Sequence, residues 1–131
     1  ERQREEFASA AEAANAIDGP LLVVGDFNST PWSYAMKAFE AATDLKRETR
    51  NVITYPELFT VPPGVKRRMP FLPIEPKTCV GGDCGADLLR TVPFLPLDQV
   101  FQRGMIVSEL HAGEQTGSDH LPIIFTASVA P

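Results

Sequence analysis

Four apolar residues, Leu21-Leu22-Val23-Val24, stand between the helix-stopping triplet Asp18-Gly19-Pro20 and the polar stretch Gly25-Asp26-Phe27-Asn28. A short continuous apolar run bounded by turn residues predicts a fully buried strand, here over 21–25. Such a strand needs covering layers, and the flanking sequence offers them. Ahead of it, Phe7, Ala10, Ala11, Ala14 and Ile17 recur at spacings of three and four, which predicts a helix over 2–17 with one apolar face. Behind it, Thr30-Pro31 predicts a helix start: threonine caps free amides and proline fits the first helical position. That helix is expected to reach Ala42 and to bury Trp32, Ala35, Met36 and Phe39.

The remainder is less regular. Residues 44–50 are polar, and eight of the 12 prolines fall between Pro56 and Pro96. An irregular Pro-rich segment over about 51–96 is too long for an ordinary connection and reads as functional or as an insertion. Short strands are expected at 97–101, 105–110 and 121–129. The order predicts an α+β fold, with helices on one face of a mixed or antiparallel sheet and no cover for the other face.

Composition narrows the class. A chain of 131 residues suits one small domain, and 44% hydrophobic residues exclude disorder. A net charge of −5 leaves no electrostatic footprint for tight nucleic-acid binding. Lys66-Arg67-Arg68 reads as a solvated loop. No apolar run approaches the roughly 20 residues needed to cross a bilayer. The polar opening "ERQREE" is no signal peptide, and with no initiator methionine a piece of a longer chain is expected. Cys79 and Cys84 enclose Val-Gly-Gly-Asp, a spacing open to a disulfide or to two free thiols; a zinc site lacks ligands.

Polar residues gather at the ends of the expected strands: Asp26, Asn28, Asp98, Asp119 and His120. Neighbouring strands lie about 4.8 Å apart, so carboxylates at their ends converge easily. Side chains two apart share a face, so Asp26 and Asn28 can reach one cleft while Phe27 packs inward. Oxygen ligands of this kind suit Mg²⁺. A histidine beside them is a candidate acid, base or charge stabiliser, with Asp98 the natural carboxylate to orient it. Each motif alone has a blander reading: Asp-x-Asn after a strand usually bonds its own backbone, and a lone Asp-His is usually surface polar. Their joint occurrence in order favours chemistry.

The stretches "GDFNSTP", "LDQVF" and "GSDHLPI" resemble the last three signature motifs of the endonuclease/exonuclease/phosphatase superfamily, whose members include pancreatic deoxyribonuclease, inositol polyphosphate 5-phosphatases and sphingomyelinases. The resemblance implies half of a four-layer, deoxyribonuclease-like α/β-sandwich and hydrolysis of a phosphoester dependent on Mg²⁺ or Mn²⁺. It implies that Asp26 positions or deprotonates the attacking water and touches metal, and that Asp119 contacts metal. Asn28 and His120 would bind the phosphate, with His120 held by Asp98 and Gly25 keeping the approach uncrowded.

Only the C-terminal half of such a domain is matched by residues 1–131. The N-terminal half would bring an Asn, a metal-binding Glu and a His or Tyr, so the fragment is expected to be inactive alone. Leu22, Val24, Val100, Ile123 and Phe125 would form part of an apolar sheet face covered by that half or by a homodimer partner. Gln99 stands where the family usually has an aromatic residue or His, and the substrate classes that the resemblance implies are nucleic acid, lipid and small phosphate. "TPWS" and the Pro-rich segment resemble a bacterial subgroup with membrane helices ahead of the catalytic domain. An extracytoplasmic, membrane-associated parent is therefore favoured over a cytoplasmic one, in keeping with a disulfide. The alternative is a catalytically inactive binding module that keeps the fold.

Overall fold

The computed structural model describes residues 2–56, 58–61, 68, 70–71, 73–75, 87–90 and 92–131. Cys79 and Cys84, with the disulfide considered for them, lie outside the described residues.

Helix α1 spans Arg2–Asn15 and strand β1 Leu21–Asp26. Phe7, Ala11 and Ala14 form the buried stripe of α1. Ala10 is exposed, and Ile17, beyond the helix end, is 48% exposed. Helix α2 spans Tyr34–Ala42 and starts three residues later than Thr30-Pro31 suggests. Ser33 is the N-cap: its Oγ accepts the Met36 N–H at 3.1 Å and lies 2.6 Å from the Ser29 hydroxyl. Thr30 instead closes a turn through its carbonyl, which accepts the Ser33 N–H at 3.0 Å. Trp32 stays in that turn, 62% exposed rather than buried, while Ala35, Met36 and Phe39 pack as the periodicity requires.

Strands β2 (Lys46–Arg47) and β6 (Asp98–Arg103) join β1 in an antiparallel sheet of order β1-β6-β2. Both helices cover one face of it. Phe7, Phe27, Phe39 and Phe101 meet there with ring centroids 5.1–5.9 Å apart, mostly edge to face. Each such pair adds about 0.5–1.5 kcal/mol to the area it buries. Leu21 and Val23 point into this core, and Phe27 turns inward beside them.

Strand β1 is half-buried rather than fully buried. Its even-numbered side chains face away from the helices, and Val24 is 51% exposed. Val100, its cross-strand partner, is fully buried. The two were expected on one uncovered face, and strand position separates them: β6 is central and flanked on both sides, whereas β1 is an edge among the described residues.

Residues 51–96 are not irregular throughout. Strands β3 (Leu58–Val61), β4 (Ile74–Glu75) and β5 (Asp87–Arg90) form a three-stranded antiparallel sheet of order β3-β5-β4. Its proline-punctuated strands are too short to show periodicity. Strands β7 (Met105–Ala112) and β8 (Ile123–Val129) pair antiparallel in a separate two-stranded sheet. All described pairings are antiparallel, so the fold is α+β with no mixed sheet among the described residues.

Candidate active site

Strands β1 and β6 run antiparallel with Asp26 opposite Asp98. The end of one strand therefore meets the start of the other, and the two carboxylates share the face turned away from the helices. Like charges placed directly across a ladder repel. The imidazole of His120 resolves the conflict. Its Nδ1 lies 2.7 Å from Asp98 Oδ2 and its Nε2 lies 3.8 Å from Asp26 Oδ2. A carboxylate only accepts, so Nδ1 carries the proton and donates to Asp98. Partial burial disfavours the charged ring. The hydrogen bond and charge of Asp98, with the charges of Asp26 and Asp119, outweigh it and raise His120 above its ordinary range.

Asp26 does two things at once. Its Oδ1 accepts the Asn28 backbone N–H at 2.7 Å, the self-bonded turn of the bland reading. Its Oδ2 is the oxygen that faces the histidine. Asn28 adopts φ 46°, a left-handed conformation that asparagine tolerates better than most residues. Its carbonyl accepts from Gln3 Nε2 at 3.1 Å, and its exposed side-chain amide has no partner among the described residues. Asp119 is exposed and lies outside the group formed by Asp26, Asp98 and His120, whose ligand atoms are all within 4.8 Å of one another.

A cleft of about 310 Å³ opens beside these residues, lined by Val24, Gly25, Asp98, Ser118, His120 and Ile123 among others. A Cβ at Gly25 would meet no atom within 4 Å. The chain's own packing therefore does not demand glycine there, and any need for an uncrowded approach lies with what enters the cleft. A larger cavity, about 670 Å³, sits at the other end of the sheet around Arg103. That guanidinium is already spent on the Asp44 carboxylate at 2.7 Å and on the carbonyls of Ala14, Ile17 and Gly19 at the end of α1. It fastens the helix and is not free for an anion.

Two site residues escape the sequence reading. Thr54 Oγ1 donates to Asp98 Oδ2, and the Tyr55 ring lies 4.6 Å from the His120 ring at 40°. They stand in a stretch without periodicity, tied down by the isolated bridge of Tyr55 to Leu95. No local signal marks them.

An α+β framework thus brings two carboxylates and a histidine together beside an open cleft. The signature of the Endonuclease/Exonuclease/phosphatase family matches residues 1–120, and the chain belongs to that family, whose members are hydrolases and generally metal-dependent phosphoesterases. Among curated proteins and solved structures, none matches significantly.

Proposed function

We propose that this chain is the C-terminal half of a phosphoester hydrolase domain that uses Mg²⁺ or Mn²⁺. One observation carries the reading: the His120 imidazole is held between carboxylates at paired strand ends, beside a cleft. The donor set fits a hard cation. Asp98 Oδ2 is taken up by two donors and serves the histidine. Asp26 Oδ2 and the exposed Asp119 carboxylate remain, and Mg²⁺ takes one or two carboxylates plus waters and substrate phosphate. When bound, the metal polarises the attacking water and the phosphoryl oxygen.

The side chains divide the rest of the work. Asp26 orients the water and takes its proton as the new P–O bond forms and the ester P–O bond breaks. Asn28 offers its free amide to a phosphoryl oxygen. His120, oriented by Asp98 through Nδ1, donates in its charged form through Nε2 where negative charge grows. The N-terminal half completes the site and covers the open sheet face around Val24.

The test is hydrolysis of a phosphodiester by the full-length protein with Mg²⁺, with Mn²⁺ and with excess chelator. Asp26→Asn and His120→Ala are each expected to lose about 10²–10⁴-fold in turnover. Activity undiminished in chelator overturns the metal mechanism. A folded, metal-replete protein inert on nucleic acid, lipid and small phosphoesters would be an inactive binding module.

A further inference from the structure

We infer that Thr54 is a positioning residue for the Asp98–His120 pair; this rests on the proposed hydrolysis for its kinetic consequence only. Thr54 is fully buried and holds the pair from both ends. Its hydroxyl donates to Asp98 Oδ2, the same oxygen that accepts His120 Nδ1 at 2.7 Å. Its carbonyl accepts the N–H of Leu121, the residue after His120, at 2.9 Å. Its own N–H donates to Leu95 O at 3.2 Å, so the clamp is anchored in the segment that leads into β6. A carboxylate with one donor can swing about its Cβ–Cγ bond. A second donor on the same oxygen fixes the plane and aims that oxygen at the imidazole.

Solvation alone does not call for this bond, because the Asp98 side chain keeps 18% exposure and water can reach it. What water cannot supply is direction, since it moves with the carboxylate. The Thr54 hydroxyl can supply it, because it is buried and carried on backbone fixed by the Leu121 and Leu95 hydrogen bonds. The Tyr55 ring against the imidazole then limits tilting on another side.

The experiment compares full-length wild type with Thr54→Val and Thr54→Ser, using bis(p-nitrophenyl) phosphate with Mg²⁺ and the NMR signal of the His120 Nδ1 proton. Thr54→Val is expected to lower kcat about 10–100-fold, the usual cost of losing a group that orients a site ligand, with KM little changed. It should also lose the Nδ1 proton signal to exchange, while Thr54→Ser restores both. If Thr54→Val does not fold, Thr54→Ala is read the same way. A signal unchanged by removal of the hydroxyl overturns the inference whatever the rate, and so does a loss of kcat that serine fails to restore. Absence of turnover in wild type would instead overturn the proposed hydrolysis, and the NMR comparison would still decide the role of Thr54.

Discussion

Val23 and Val24 are neighbours on one strand and live in different surroundings. Val23 points into the aromatic core beneath the two helices, while Val24 stands 51% exposed on the opposite face. The same split runs along β6, where Phe101 seals the helix side and Asp98 holds the histidine on the other. One face of the sheet is closed by apolar packing. The other is polar at the end that carries Asp26, Asp98 and His120, and open along the edge strand at Val24, while Val100 on the central strand is buried. The aromatic core thus lies on one face, and the cluster of Asp26, Asp98 and His120 on the other.

The largest effect that could break this division is Phe101→Ala. The ring is fully buried and within 5.4 Å, centroid to centroid, of Phe27 and Phe39. Its removal should cost about 3–5 kcal/mol in chemical denaturation. A loss below about 1 kcal/mol would mean that the helix face is not the core. Next comes Gln99→Leu. Gln99 is fully buried, accepts from Thr49 Oγ1 at 2.6 Å and donates to the Pro96 carbonyl at 2.7 Å. Leucine would strand both partners, at about 1–3 kcal/mol by the same measurement.

These two residues also mark what was legible in the sequence. The helix face was readable because apolar spacing reports burial directly, as with Phe7, Ala11, Met36 and Phe39. Asp26, Asp98 and His120 were readable because strand ends converge. Gln99 carried no hint of its buried network, because a polar residue is satisfied by partners as distant in sequence as Thr49. Thr54 and Tyr55 were hidden for the same reason, in a stretch whose order comes from long-range bonds. The shift of the α2 cap from Thr30 to Ser33 depended on a local contest, won by the serine pair Ser29 and Ser33.

A smaller effect sharpens the electrostatics of the open face. His120 titrates above its ordinary value of 6.5 in the folded, metal-free protein, because burial is outweighed by Asp98, Asp26 and Asp119. The folded state then holds this proton more tightly than the unfolded state. Its contribution to stability is fully present below pH 6.5 and is lost as the pH rises through the elevated folded value. Denaturation midpoints measured across that window should fall with rising pH. Asp98→Asn should flatten the slope, since it removes both the charge and the best acceptor. A slope unchanged in Asp98→Asn would assign the dependence to another group.

The smallest expected effect is the most informative about the open face. Val24→Ser removes apolar surface that is already half in water, on a strand with a neighbour on one side only among the described residues. In this chain the change should stay within about 0.5 kcal/mol, as for surface substitutions away from special features. In the full-length protein the proposed N-terminal half would bury the same side chain. Full burial of a valine is worth about 1.5–3 kcal/mol, and about half of Val24 is already covered, so there the substitution should cost about 1 kcal/mol more. The difference between the two contexts reads out coverage of the face without requiring activity. A neutral result in both would mean that Val24 faces solvent even in the complete protein. A large loss in this chain alone, rising with protein concentration in the wild type's favour, would point instead to a second copy seated on the face, because only an association that depends on concentration could hide Val24 there.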